Sequence, residues 1–192
     1  MIDLRAELLA SVAQLGEADR LALLDLGIAA ETIARFRMCG IEQVSISNGL
    51  YSPAPGGPIA IITPVRVYTS VTPEARAARA YAHWGPIVDL VAWHPAEPER
   101  FALRIGSAEW LGCIEPQYLD PDPVPIHRSV LDWLRAGCVG LVLLSPDPAD
   151  QYRALCCCGR IVTADPEHSK ALRRVLSRPW PHPTVEEATD AA

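Results

Sequence analysis

The stretch that decides the fold class runs from residue 139 to residue 165 and reads VGLVLLSPDPADQYRALCCCGRIVTAD. It contains a short apolar run at 139–144 and a second predicted strand at 160–163, on either side of a helix-forming stretch at 147–158. Short apolar runs that alternate with helices are typical of buried parallel strands joined by right-handed crossovers. The stretch therefore predicts an α/β unit.

Two further helices are predicted to flank this stretch. Ser129 is placed to cap a helix with the sequence VLDWLRA, which stops at Gly137. Asp165 is placed to cap a second helix from Pro166 to Leu176. The order helix, strand, helix, strand, helix predicts a small mixed sheet in the C-terminal part of the chain.

Residues 41–69 have a different pattern, which predicts an antiparallel β meander. The pair Asn48-Gly49 lies between apolar alternations, and it favours a tight hairpin because a type I′ turn needs positive φ at both central residues. A strand is predicted at 59–63, with Pro64 marking an edge or a bulge. The meander is therefore expected to begin with a hairpin and continue into a longer strand.

Downstream of the hairpin, two more strands are predicted. Residues 87–93 read IVDLVAW and are mostly apolar, so this strand is expected to be central, with Asp89 interrupting it. A shorter strand is expected at 101–105. Thr72-Pro73-Glu74 is a good helix start, so residues 73–82 are predicted as a helix or as an excursion within a hairpin.

Two segments are predicted to lie outside strands. Ser107 is placed to cap a short helical turn that runs through Trp110 and Leu111. Residues 115–127 hold four prolines and no periodicity, which predicts an irregular connector or a domain boundary.

The N-terminal residues 3–37 follow helical spacing and are predicted to form three short helices. A unit of this size suits a helix-turn-helix or a small docking module. Arg35 and Arg37 are the only basic residues near the third helix. Glu31 lies at the N-terminal end of this helix, where a recognition helix usually contacts the DNA bases. Structural packing or partner docking is therefore favoured over DNA reading.

Together these patterns predict an α+β fold with a three-helix N-terminal unit, an antiparallel β meander and a C-terminal α/β unit. The predicted organisation is a helical unit at 1–40, an α+β domain at 41–178 and a flexible acidic tail at 179–192. The final residues TVEEATDAA carry acids and no base, which is typical of a frayed terminus.

The composition excludes some classes of protein. The chain has 192 residues, is 49% hydrophobic and carries a formal charge of −6, which excludes whole-chain disorder and a generally basic nucleic-acid binder. The bases are concentrated near the C-terminal helix, at Arg160, Lys170, Arg173, Arg174 and Arg178. An acidic chain can therefore still present one basic face, and nucleic-acid binding through this helix remains possible.

The location expected from the sequence is cytoplasmic. Charged residues interrupt the N-terminal apolar residues, so there is no continuous signal-peptide core. The longest apolar runs are far shorter than the roughly 20 residues that a membrane helix needs. No membrane association is therefore predicted.

Six cysteines invite either a disulfide framework or a zinc site. The chain lacks the secretory context of a disulfide framework. A zinc site could use Cys138, the run Cys156-Cys157-Cys158 and His168, but the paired spacing of zinc ligands is missing. We therefore predict no metal and favour small buried side chains, and whether the triple run binds metal stays open.

Candidate catalytic residues are Asp147, Asp165 and His168, because sites collect at the carboxyl ends of parallel strands. Such carboxylates could bind Mg²⁺ and activate water or a phosphate. The arrangement superficially resembles half of a toprim-like site, but it lacks an Asp-x-Asp after a strand and an upstream strand ending in Glu. Ordinary helix capping by Asp147 and Asp165 is therefore favoured over catalysis, and no cofactor is predicted.

Candidate binding residues come from the tryptophans and from the C-terminal helix. Trp93, Trp110 and Trp133, interleaved with arginines, could stack bases or form a protein-binding hot spot. They equally fit a core between the meander and the helices, which we favour. Arg173 and Arg174 are the basic candidates for partner binding.

Three motifs resemble uncharacterised proteins encoded in prophages and integrated elements of alphaproteobacteria. They are DLVAWHP at 89–95, AEWLG at 108–112 and WLRAGCVGLVLL at 133–144. The resemblance implies a genomic setting and transfers no catalytic residue. The expected function is a non-catalytic binding or accessory protein of a mobile element, with a protein partner favoured. The alternatives are a metal-dependent enzyme, toprim-like or nuclease-like, acting on nucleic acid or phosphate esters, and a DNA-binding transcriptional accessory.

Overall fold

A computed structural model describes residues 2–34, 37–66, 85–112, 123–156 and 158–178. The predicted helix at 73–82, most of the connector at 115–127 and the acidic tail lie outside these residues. The described N-terminal residues form the three predicted helices, α1 at Leu4–Ala13, α2 at Glu17–Asp25 and α3 at Ala30–Ala34. The fold is α+β, as predicted.

Five of the described strands close a barrel in the order β1-β2-β5-β4-β3. Their bounds are Gly40–Ser47 for β1, Leu50–Pro53 for β2, Ile59–Arg66 for β3, Ile87–His94 for β4 and Glu97–Leu103 for β5. The pairs β1–β2, β1–β3, β3–β4 and β4–β5 are antiparallel, and a short parallel contact between β2 and β5 closes the ring. This confirms the meander and the central position of β4.

The first hairpin confirms the expected turn. Ser47 pairs with Leu50 across a two-residue loop, and Asn48 and Gly49 both have positive φ, at 52° and 76°. Pro64 is tolerated in β3 because the pairing with β1 ends at Ile62, so no β1 acceptor needs its missing N–H.

The barrel has two covered faces. Its interior cluster contains residues from all five strands and from α1, at Leu4, Leu8, Val44, Tyr51, Ala60, Ile62, Leu90, Ala92 and Ala102. Ile61, Val91 and Trp93 alternate with these positions and pack outward in a second cluster that includes residues of α2 and α3. The N-terminal helices therefore share their cores with the barrel.

The remaining described strands form a mixed sheet in the order β6-β8-β7-β9, as predicted for the C-terminal unit. Its elements are β6 at Trp110–Gly112, β7 at Val124–His127, α4 at Val130–Arg135, β8 at Leu141–Leu143, α5 at Pro148–Cys156, β9 at Ile161–Thr163 and α6 at Pro166–Leu176. Strand β7 is parallel to both β8 and β9, whereas β6 is antiparallel to β8. Ser129 caps α4 and Asp165 caps α6, as their sequence positions predict.

Two local predictions are wrong. Trp110 and Leu111 lie in strand β6 and not in a helical turn, because the Ser107 hydroxyl donates to the Val88 carbonyl instead of capping a helix. The end of the proposed connector is strand β7. Pro125 is accommodated there because pairing with β8 begins only at Ile126.

Asp89 lies inside β4 and is fully buried. Its Oδ1 accepts the backbone N–H groups of Leu90, Arg104 and Ile105 at 2.8, 3.0 and 2.9 Å. Its Oδ2 accepts the N–H of Ser107 at 2.8 Å. The strand therefore continues through Asp89, whose carboxylate fixes the loop that leads from the barrel to the C-terminal sheet.

Candidate functional site

The carboxyl ends of β7, β8 and β9 meet at one edge of the C-terminal sheet. After β7 the chain passes through α4 to β8, and after β8 it passes through α5 to β9, on the other side of β7. Ligands in open α/β sheets bind where neighbouring connections diverge in this way. The residues that follow these strands are therefore the first place to search for a site.

Arg128 and Asp165 bridge the ends of β7 and β9. The Arg128 guanidinium donates from Nε to Oδ2 at 2.9 Å and from Nη2 to Oδ1 at 2.7 Å. The backbone N–H of His168 also donates to Oδ1, at 2.8 Å, which is the helix cap. These donors, Arg128 first, lower the pKa of Asp165 to about 2. The carboxylate is thus ionised at neutral pH and already engaged.

The Asp165 contacts predict a pH-dependent contribution to stability. Because the pKa of Asp165 is lower in the folded chain than its ordinary value, the contribution is present above about pH 4 and is lost as the pH falls towards 2. We expect the free energy of unfolding of the wild type to exceed that of Asp165→Asn above pH 4, and the difference to shrink towards pH 2. Urea titrations of both proteins at several pH values measure it, and a pH-independent difference would contradict the assignment.

His168 lies beside this pair and is half-buried. Burial, followed by the nearby Arg128 charge, lowers the pKa of its imidazole, so the ring is neutral at pH 7. Within the described residues its buried Nδ1 has no hydrogen-bond partner. The structure therefore brings two of the three catalytic candidates together, at the start of α6.

Asp147 lies apart from them, at the start of α5. Its Oδ1 accepts the N–H of Ala149 at 2.8 Å, and its own N–H donates to the Ser145 hydroxyl at 3.1 Å. Strand β7 separates β8 from β9, so the two strand ends are about 10 Å apart at ordinary strand spacing. No group of three His, Cys, Asp or Glu side chains in the described ranges is arranged to hold a metal ion.

The candidate tryptophans contribute to the core. The indole N–H of Trp93 donates to Thr63 Oγ1 at 3.0 Å, and that of Trp133 donates to the Gly140 carbonyl at 3.1 Å. Both rings are buried, at 2% and 1% exposure, and the half-buried Trp110 packs on the cluster beneath α6. Neither Trp93 nor Trp133 presents a surface to a partner.

The buried cysteines also belong to the core. Burial raises the pKa of the Cys39 thiol to about 12 and raises that of Cys138. Both thiols are therefore protonated and unreactive at neutral pH. Cys156 is exposed at the end of α5, whereas Cys113 and Cys157 lie outside the described residues.

In the N-terminal helices, side chains that a DNA-binding helix would have to expose are packed in the core. The described part of helix α3 is Ala30–Ala34, and both Thr32 and Ile33 are buried. A recognition helix needs an exposed face that reaches base edges in the major groove. The geometry therefore favours the packing interpretation.

Helix α6 has two faces. Leu172 and Val175 pack on the cluster formed by the C-terminal sheet and α5. The opposite face borders a shallow cavity of about 410 Å³, which we call the α6 groove and which is lined by Pro166, Ser169, Lys170, Arg173, Arg174 and Ser177. The positions recur at i, i+3 and i+4, so they lie on one side of the helix. The sequence signal for this face was the concentration of basic residues near the C-terminal helix.

The α6 groove brings together three cations of like charge on the described surface. Lys170, Arg173 and Arg174 are exposed, and none of the ion pairs found among the described residues involves them. Among the described residues, the groove lining contains no carboxylate. Arg173 and Arg174 also lie in the last turn, where cations stabilise a helix by roughly 0.3–1 kcal/mol each.

None of the described helices is long and apolar enough to cross a bilayer. No protein-family model, curated protein or solved structure matches this chain.

Proposed function

We propose that the chain is a non-catalytic binding protein that holds an anionic partner in the α6 groove. The observation that carries the proposal is the set of three exposed cations around one concavity, without a described acidic partner, in a chain of net charge −6. Closely spaced like charges repel one another, and an anion relieves that repulsion. The groove is therefore suited to a negatively charged ligand.

The neighbouring carboxylates support binding over catalysis. Asp165 is engaged by Arg128 and the His168 N–H, and Asp147 is engaged by the first turn of α5. Both carboxylate oxygens of Asp165 and Oδ1 of Asp147 already accept hydrogen bonds that a metal or substrate would have to compete with. Each carboxylate has a structural role that accounts for its position.

In this proposal the partner binds the α6 groove and not an exposed surface formed by tryptophan side chains. Trp93 and Trp133 are committed to the core, so the hot-spot interpretation loses two of its three anchors. A role as a cytoplasmic accessory protein of a mobile element is part of the same proposal. It is supported by the resemblance of the motifs at 89–95, 108–112 and 133–144 to prophage-encoded proteins.

Retention on immobilised heparin, a sulfated polyanion, tests the proposal. The wild type should be retained at low ionic strength despite its net negative charge, and Arg173→Glu/Arg174→Glu should not. The matched control is Arg5→Glu/Arg20→Glu, which changes the formal charge equally at exposed positions of α1 and α2. The control should be retained like the wild type. Equal loss in both variants would show a net-charge effect and would overturn the proposal.

A further inference from the structure

We infer that the anion in the α6 groove is the phosphate backbone of a nucleic-acid duplex, held without regard to base sequence. The inference rests on the proposed function and assigns the chemical class of its partner. An acidic polypeptide and a single strand are the competing partners.

The lining chemistry favours phosphate. Besides the three cations, the groove offers the hydroxyls of Ser169 and Ser177. Lysine, arginine and serine side chains are among the groups that contact phosphate oxygens in protein–DNA complexes. An interface with an acidic protein would instead centre on a desolvated apolar or aromatic anchor. The described lining residues have Pro166 at one end and include no aromatic side chain, so they provide no such anchor.

The same lining favours a duplex over a single strand. Binding of single strands relies on aromatic platforms that stack unpaired bases, and none of the described residues that border the groove is aromatic. The described lining residues include no amide or carboxylate side chain that would pair with adenine or cytosine edges in the major groove. Arginine and lysine also read guanine edges, so equal binding of duplexes of unrelated sequence is the result that assigns these side chains to the backbone.

The cations on α6 set the expected salt dependence of binding. Leu172 and Val175 anchor the helix, so the groove is presented on a fixed surface. Lys170 and Arg174 are four residues apart, a rise of about 6 Å, so the cations face a short length of backbone. Three phosphate contacts predict a slope of about −3 for the logarithm of the association constant against the logarithm of salt concentration.

Fluorescence anisotropy with labelled DNA tests the inference on the full chain. The probes are two short duplexes of unrelated sequence, one of their single strands, and a polyglutamate peptide. We expect both duplexes to bind equally with a salt slope of about −3, and the single strand and the peptide to bind more weakly.

Three variants sharpen the test. Arg173→Glu/Arg174→Glu should weaken duplex binding by about tenfold or more, whereas Arg5→Glu/Arg20→Glu should keep it within about twofold. Lys170→Ala leaves the cations of the last turn in place and should reduce the magnitude of the salt slope by about 1. Thermal unfolding of each variant checks that the fold is retained.

Tighter binding of polyglutamate or of the single strand, a strong preference between the two duplexes, or duplex binding that Arg173→Glu/Arg174→Glu leaves unchanged would each overturn the inference. If heparin retention depends on α6 and the duplexes fail to bind, the inference fails and the proposed function stands. If heparin retention is independent of α6, the proposed function itself fails.

Discussion

Replacement of Asp89 by asparagine is expected to lower the free energy of unfolding by about 3 kcal/mol or more, out of the roughly 5–15 kcal/mol typical of a whole domain. The buried carboxylate accepts backbone N–H groups on both oxygens. An amide has only one acceptor oxygen, so its NH₂ group would face a donor, such as the N–H of Ser107. That donor would then be buried without a partner, and the loop at 104–108 would lose its anchor.

The matched control is Asp25→Asn, at an exposed position at the end of α2. This change removes the same charge without breaking a buried contact, so its effect should lie within about 0.5 kcal/mol. Urea unfolding followed by far-UV circular dichroism measures both variants. If Asp89→Asn unfolds at the same urea concentration as Asp25→Asn, the Asp89 contacts do not hold the loop.

Replacement of Gly140 by alanine is expected to cost about 3 kcal/mol, because two unfavourable effects coincide at this residue. Gly140 has a φ of +86°, which disfavours any residue with a side chain. An added Cβ would also lie 2.2 Å from the Pro125 carbonyl oxygen, so β7 and β8 would have to separate. The hydrogen bond from the Trp133 indole to the Gly140 carbonyl would be disturbed as well.

Gly137 provides the control for Gly140. It lies three residues earlier, has a φ of +66° and would meet no atom within 4 Å of an added Cβ. Gly137→Ala should therefore cost only the backbone strain, about 1 kcal/mol. Thermal or urea unfolding of the two single variants separates the effects. Equal losses would mean that the approach of β8 to the Pro125 carbonyl does not constrain the sheet.

Local signals in the sequence predicted much of the fold. The Asn48-Gly49 turn and the caps at Ser129 and Asp165 depend on residues within a few positions of each other, so each could be recognised without tertiary information. The parallel unit followed from the alternation of apolar runs and helices. Each of these features depends on signals that are close together in the sequence.

Strands β6 and β7 were missed because their pairing is long-range. Trp110 pairs with Leu143, and Ile126 pairs with Leu141, so neither short strand forms an alternating pattern that stands out in the sequence. The prolines of the connector further concealed β7. Only the surrounding sheet makes Pro125 acceptable in a strand.

The sequence predicted which basic residues form the candidate site, but it did not predict which side chains contact one another. The concentration of basic residues in the last strand and helix, including Lys170, Arg173 and Arg174, indicated a basic face. In contrast, Arg128 reaches Asp165 from 37 residues away, and the carboxylate is engaged only because β7 and β9 are neighbours. Strand order, which the sequence does not encode locally, therefore decides which carboxylates are available.

We propose that binding of the anionic partner depends on the α6 groove and not on net charge. The most direct measurement is the salt concentration at which the wild type, Arg173→Glu/Arg174→Glu and Arg5→Glu/Arg20→Glu elute from heparin under identical conditions. We predict that the wild type and Arg5→Glu/Arg20→Glu, the α1/α2 variant, elute together. Arg173→Glu/Arg174→Glu, the α6 variant, should pass through the column unretained. Elution of the α6 variant together with the wild type would contradict it.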